Sequence, residues 1–159
     1  TGLPNRRAFN LRLDNAWQDA STNGKRLALL ILDADLFKQY NDDIGHLGGD
    51  ACLRSIARVV ARVVGGTEGF AARIGGEEFA VILPDTTHLR AQEVAEEIRL
   101  SIEGLALAHS SSPYGVQTVS IGVAGRVPLD GEVPIELMRL ADQALYSAKV
   151  SGRNQVACS

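Results

Sequence analysis

Apolar positions along the chain recur in two rhythms, one of three and four and one of two, and the two rhythms alternate. Residues 5–20 show the first, with Ala8, Leu11, Ala16 and Trp17 predicting one apolar helical face and Asn5 placed to cap it. Ser21-Thr22-Asn23-Gly24 reads as a turn. Leu27-Ala28-Leu29-Leu30-Ile31-Leu32 is a continuous apolar run of strand length, the pattern of a strand buried on both faces, and it ends abruptly in Asp33-Ala34-Asp35. Residues 35–46 are polar and predict a loop or short helix. After Gly48-Gly49-Asp50 the helical rhythm returns through Leu53, Ile56, Ala57, Val60, Val63 and Val64, and Gly65-Gly66 stops it. Two short alternating segments follow, Phe70/Ala72/Ile74 and Phe79/Val81/Leu83. Gly75-Gly76-Glu77-Glu78 joins them, which predicts a β-hairpin. Thr86 or Thr87 caps a third helix to about residue 108, with Val94, Ala95, Ile98, Ile102 and Leu105 inward. Gln117–Ala124 predicts a strand. Pro134 opens a helix to about Val150, with Leu137, Leu140, Ala141, Ala144, Leu145 and Ala148 inward, and Gln155–Ala157 predicts a short edge strand.

The resulting order, α β α β β α β α β, lacks the strict alternation of a doubly wound fold. A central hairpin with helices on either side predicts a mixed, largely antiparallel sheet covered by helices, an α+β architecture. The 159 residues, 45% hydrophobic and 22% charged, are those of one ordinary globular domain spanning 1–159, with a real core and no internal repeat. Sixteen basic against nineteen acidic residues give a net charge of −3, so no broad nucleic-acid-binding surface is expected, although a local basic pocket is compatible with it. Cys52 and Cys158 lack metal or CxxC spacing and read as free thiols in a reducing compartment. No apolar run approaches the roughly 18 residues of a membrane span, and no signal peptide is visible. The chain opens at Thr1-Gly2-Leu3-Pro4-Asn5 without a methionine, which leads us to expect a piece of a longer protein.

Two carboxylate clusters stand out. Asp33 and Asp35 end the most hydrophobic strand, and Glu77 and Glu78 sit at the hairpin tip. If the hairpin pairs beside that strand, the four acidic groups converge at one end of the sheet. Carboxylates held close raise each other's pKa unless a cation sits between them, and hard oxygen donors suit Mg²⁺ or Mn²⁺. The plain structural reading is a set of solvated acids at a strand end and a turn. Gly75 and Gly76 leave the tip free of side chains, open to approach by phosphates; they equally suit a turn that needs positive φ. Lys149 and Arg153, four apart at the end of the last helix, have the spacing to grip phosphate, and they also suit the helix dipole. Lys38 follows the first acidic cluster. No P-loop or G-x-G-x-x-G pattern occurs, and His46, His88 and His109 lack metal spacing.

Taken together these segments are recognisable. Arg73-Ile74-Gly75-Gly76-Glu77-Glu78-Phe79 resembles the signature of the GGDEF family of diguanylate cyclases, in its GGEEF form. The opening Thr1-Gly2-Leu3-Pro4-Asn5-Arg6-Arg7 resembles the family's first motif. Asp33-Ala34-Asp35-Leu36-Phe37-Lys38, Asn41-Asp42, Gly45-His46 and Gly49-Asp50 resemble its second block. Ser120-Ile121-Gly122-Val123-Ala124 resembles a later strand, and Ala141–Lys149 with Gly152-Arg153-Asn154 its last helix. The resemblance covers nearly the whole chain, in order.

It implies a five-stranded sheet with flanking helices and a ferredoxin-like core, related to the polymerase palm and the class III nucleotide cyclases. It also implies condensation of two GTP into cyclic di-GMP, with release of two pyrophosphates, at the interface of a homodimer. By the same resemblance Asp33, the Ala34 carbonyl, Glu77 and Glu78 belong to a Mg²⁺ or Mn²⁺ site, and Glu77 helps deprotonate the attacking hydroxyl. Gly75 and Gly76 admit the nucleotide. Phe37 and Lys38 lie over the phosphates, and Lys149 and Arg153 hold the terminal ones. Asn41 and Asp50 read the guanine edge, Leu53 packs beside the base, and His46 lies near base or ribose or fixes the loop. An upstream regulatory domain, a cytoplasmic location and, for the isolated domain, a monomeric and slow state are further expectations. The competing reading is a silent GTP-binding regulatory module; retention of Asp33, Lys38, Glu77 and Glu78 argues against it. One departure stands out. Many members carry Arg-x-x-Asp before the signature as a product-inhibition site, and here those two positions are Gly66 and Gly69.

Overall fold

The computed structural model describes all of residues 1–159. The chain runs α1 (Arg6–Asn23), β1 (Leu27–Ala34), α2 (Phe37–Ile44), α3 (His46–Gly65), β2 (Phe70–Arg73), β3 (Glu78–Pro84), α4 (His88–Glu103), β4 (Val119–Arg126), α5 (Pro134–Val150) and β5 (Val156–Cys158). The strands form one sheet in the order β2-β3-β1-β4-β5. The first three pairings are antiparallel and β4–β5 is parallel, so the expected α+β fold with a mostly antiparallel five-stranded sheet is what the chain adopts.

The continuous apolar run becomes the central strand because both of its faces are covered. Ala28, Leu30 and Leu32 look into a core shared with α3 and α4, and Leu27, Leu29 and Ile31 into a second one shared with α1 and α5. Every residue of β1, Asp33 included, is buried. Gly122 of β4 faces α5, where a Cβ would overlap the backbone at Ala141 and Leu145, so this glycine is what lets α5 lie close against the sheet.

Several boundaries differ from the sequence reading. α1 continues through Ser21–Asn23 and ends where Gly24 turns left-handed and donates its N–H to the Ala20 carbonyl. Its buried stripe is Phe9, Leu13, Trp17 and Ala20; Leu11, expected inward, is 64% exposed. α3 begins at His46, ahead of the expected Gly-Gly start. Those glycines lie inside its first turn because α2 packs on them, and a Cβ at Gly49 would overlap the Asn41 side-chain oxygen. α4 stops at Glu103, so Leu105 lies outside the helix and is exposed. β4 starts at Val119 rather than Gln117 and runs on to Arg126, because the Gln117 amide and the Thr118 hydroxyl are committed to the loop after β1. Arg153 lies beyond the end of α5, in a left-handed turn, and not on the helix. Both cysteines are free, Cys52 buried and Cys158 exposed. No helix is long and apolar enough to cross a membrane.

Candidate active site

Register decides where the acids go. In the antiparallel β1–β3 pair Asp33 lies opposite Glu78, and the Ala34 N–H donates to the Glu77 carbonyl at 3.1 Å. The end of the most buried strand and the hairpin tip are therefore side by side. The opposite wall is built by α5 and by the loop after β1. Asp33, Asp35, Glu77, Lys38, Lys149 and Arg153 line one cleft of about 200 Å³ together with Leu36, Phe37 and Gln39. Lys149 Nζ lies 3.2 Å from Asp33 Oδ2.

The hairpin tip is held from below. The Arg73 guanidinium donates to the Gly76 carbonyl at 2.6 Å and to that of Gly75 at 3.2 Å, and Arg6 donates to the Ile74 carbonyl at 3.2 Å. Neither tip glycine has a positive φ, so the turn geometry does not require them. A Cβ on Gly75 would come within 2.7 Å of the Glu78 carboxylate, whereas a Cβ on Gly76 would meet nothing. Of the two readings left open for these glycines, free approach from outside is the one that fits Gly76.

Of the three cations in the cleft, Lys149 is the one that acts on both Asp33 and Glu77. Burial pushes Asp33 up to about 6, with the Lys149 ammonium pulling the other way and Glu77 and Glu78 adding to the rise. Glu77 is raised as well, by burial first, with Lys149 opposing and Glu78 reinforcing. This donor set fits a divalent cation: two hard carboxylates share a single nearby ammonium, and a doubly charged ion would relieve both. No three His, Cys, Asp or Glu side chains converge to hold an ion by themselves. Glu78 does not line the cleft; its carboxylate lies against Gly75.

Asp35 belongs to a different job from the one its position beside Asp33 suggests. It is buried and accepts from the Thr118 hydroxyl at 2.8 Å, the Ser120 hydroxyl at 2.7 Å and the Asn154 N–H at 3.1 Å. Its oxygens are engaged in tying β1, β4 and the turn after α5 together.

The remaining expected residues form a second group at the α2–α3 junction. Asn41 stands one turn along α2 from Phe37, against Gly49, and its Oδ1 is buried without a partner. Asp50 is exposed on the first turns of α3, Leu53 is buried one turn further on, and His46 is exposed at the helix start. None of the four lines the phosphate-sized cleft; α2 links the two groups, with Phe37 and Lys38 at one end and Asn41 in the middle. The largest concavity, about 760 Å³, lies along the outer side of α5 and contains neither Asp33 nor Glu77. The sequence reading gave no holding role to Arg73, His109, Tyr114 or Gln117: His109 was noted only as lacking metal spacing and Gln117 only as opening a strand. Nothing in local spacing marks the last three, since their partners Leu36, Gly152 and Asp35 lie far away in the chain.

The fold is an α+β domain whose cleft sets an acidic pair from a strand end and a hairpin against three cationic side chains, and comparison gives the family. The chain matches the family model "Diguanylate cyclase, GGDEF domain" over residues 1–155 and belongs to that family. It is 40% identical over 158 residues to the response regulator PleD of Caulobacter vibrioides, covering 98% of this chain and 34% of that protein. It is 38% identical to the diguanylate cyclase DgcP of Pseudomonas aeruginosa, covering 98% of this chain and 23% of the relative. The chain thus spans about a third of the first of these curated relatives and about a quarter of the second. Among solved structures, the GGDEF domain of DgcB from Caulobacter crescentus, in complex with c-di-GMP, superposes with a TM-score of 0.90 at 42% identity, covering 99% of this chain and 92% of that one. The active GGEEF domain of a Vibrio cholerae diguanylate cyclase gives 0.84 at 32% identity, covering 98% and 97%.

Proposed function

We propose that this chain is a catalytic diguanylate cyclase domain that binds one GTP and, paired with a second copy, joins two GTP into cyclic di-GMP with release of two pyrophosphates. The observation that carries the reading is the β1–β3 register: it brings Asp33 and Glu77 together opposite Lys38, Lys149 and Arg153, an acidic edge facing a cationic wall. Such a cleft suits a polyphosphate bound between the cations, with acids placed to handle a proton and a cation.

Asp33, the Ala34 carbonyl and Glu77 would hold Mg²⁺ or Mn²⁺. When bound, the ion would neutralise phosphate oxygens and lower the pKa of the attacking hydroxyl. Lys149 and Arg153 bind the terminal phosphates, and Lys38 meets the charge that develops on the phosphoryl oxygens. Gly76 lets the nucleotide approach the tip. Asn41 and Asp50 take the guanine edge: the Asp50 carboxylate accepts from N1–H and the exocyclic amine, a donor pair adenine does not present. Leu53 supports the base, and His46 closes the same end. In the reaction the 3′-oxygen of one GTP bonds to the α-phosphorus of the other, the bond from that phosphorus to the bridging β-oxygen breaks, and Glu77 takes the hydroxyl proton. Because each domain holds one nucleotide, two domains must face each other, and this orientation supplies much of the acceleration.

The test is product analysis with GTP and Mg²⁺. Wild type forms cyclic di-GMP, and a folded Glu77→Ala variant forms none. Near-wild-type turnover by that variant would remove Glu77 from the mechanism.

A further inference from the structure

Five residues other than glycine have positive φ: Leu36, Asp85, Ala106, Arg153 and Asn154. Such backbone is unfavourable for L side chains, persists only where its surroundings hold it, and gathers at functional sites. Three of the five lie in the two elements assigned to the phosphates. Leu36 precedes Phe37 and Lys38, and Arg153 and Asn154 form the turn after α5.

One segment outside the site touches both elements. Residues 107–116 fold back on themselves through the Ala108–Val116 bridge and the His109 N–H to Gly115 carbonyl bond. At one end His109, 1% exposed, places Nε2 3.1 Å from the Leu36 carbonyl; that acceptor requires the proton on Nε2. Its ring stands edge-on to Tyr40, which stacks on Phe37. Ser110 and Ser111 donate to Asp43 on the same helix at 2.9 and 2.8 Å. At the other end the Tyr114 hydroxyl donates to the Gly152 carbonyl at 2.8 Å, with the Arg153 carbonyl 3.4 Å away. The Leu36 end and the Arg153 end are therefore braced against each other by this strap, beside the direct Asn154 N–H to Asp35 bond that joins the neighbouring residues.

We propose that the 107–116 strap sets the span of the triphosphate subsite, with His109 and Tyr114 as positioning residues acting through Leu36 and Arg153. The proposal rests on the reading of Lys38, Lys149 and Arg153 as phosphate-binding groups. The strap contributes no group to the cleft itself. It acts by holding two strained backbones at one separation, so its effect is on the phosphate tail and not on the base.

The test uses 3′-deoxy-GTP, which lacks the attacking hydroxyl and cannot turn over, and 3′-deoxyguanosine, which lacks the phosphates. Tyr114→Phe removes one hydroxyl from a side chain that is 44% exposed, so it leaves the fold intact. The loss of one hydrogen bond predicts about a three- to tenfold rise in Kd for the triphosphate and none for the nucleoside. In an Arg153→Ala background the same change has no further effect, because the two act as one unit. His109→Gln keeps a donor near the Nε2 position and binds the triphosphate as wild type, while His109→Leu weakens it as Tyr114→Phe does. Unchanged triphosphate binding in both Tyr114→Phe and His109→Leu, with Arg153→Ala weakened, overturns the strap and leaves the phosphate site standing. Unchanged binding in Arg153→Ala as well overturns the phosphate assignment and the strap with it. Should His109→Leu fail to fold, Tyr114→Phe and its double-variant cycle decide the question alone.

Discussion

Asp33→Asn should make the metal-free domain more stable at neutral and alkaline pH. Asp33 sits at the end of a fully buried strand with one ammonium, that of Lys149, at 3.2 Å and two further carboxylates nearby. Burial raises its pKa from 3.8 to about 6 in the folded chain. Below pH 3.8 the carboxyl is protonated in folded and unfolded chains alike and costs nothing. As the pH rises from 3.8 to about 6 the unfolded chain gives up its proton while the folded chain still holds it, and stability is lost; above about 6 both are charged and the loss is complete. At about 1.4 kcal/mol per pH unit this amounts to about 3 kcal/mol above pH 6. The neutral amide removes that cost. For a domain of this size it predicts a Tm about 6–12 °C higher at pH 8, reduced by whatever Lys149 loses with its partner. The assay is thermal or urea unfolding of both proteins in chelator from pH 4.5 to pH 8. The gap should widen from pH 4.5 to about 6 and stay level from there to pH 8. Asp33→Asn less stable than wild type at pH 8 would refute the reasoning. It would show that the ion pair outweighs burial and that Asp33 is there to brace α5.

Three other outcomes follow from the same geometry. Asp50→Ala, on an exposed helical position, should leave the Tm unchanged and erode the preference for GTP over ATP about tenfold or more, since one doubly accepting carboxylate contributes about 1.5–3 kcal/mol; competitive binding of the two nucleotides measures it. Gly76→Ala should fold normally, because its Cβ meets nothing and its φ is not left-handed, yet bind GTP more weakly; a wild-type Kd would mean the tip is not approached by nucleotide. With Gly66 and Gly69 at the Arg-x-x-Asp positions, added cyclic di-GMP should not slow turnover from a remote site; noncompetitive inhibition by product would contradict that.

What was legible in the sequence was whatever local chemistry determines. The run Leu27–Leu32 reads as a doubly covered strand and the paired glycines between alternating segments as a hairpin, so the meeting of Asp33 with Glu77 follows once the two are side by side, whereas Glu78 turns toward Gly75. The glycines of α3 misled because their reason is tertiary: Gly49 is small to admit Asn41 of α2, not to begin a helix. The end of α1 was misplaced because Ser21, Thr22 and Asn23 are turn formers by composition, while the stop is set by the left-handed Gly24. Asp35 read as a partner of Asp33, but it lies just past the end of β1 and its oxygens are already taken by the hydroxyls of Thr118 and Ser120 and by the Asn154 N–H, partners that only the tertiary fold supplies. His109 and Tyr114 gave no signal, since their bonds span 73 and 38 residues of chain.

The central claim is that two copies of this domain, each holding one GTP, make cyclic di-GMP. It is tested most directly by the initial rate of cyclic di-GMP formation as a function of protein concentration, at saturating GTP and Mg²⁺. The account predicts a rate that rises more steeply than the first power of protein concentration, approaching the square where the domain is mainly monomeric, and a Glu77→Ala protein that forms no product at any concentration. GTP binding without any cyclic di-GMP, even at the highest concentration and with the domain fused to a dimerising helix, would contradict it and leave a nucleotide-binding regulatory module in its place.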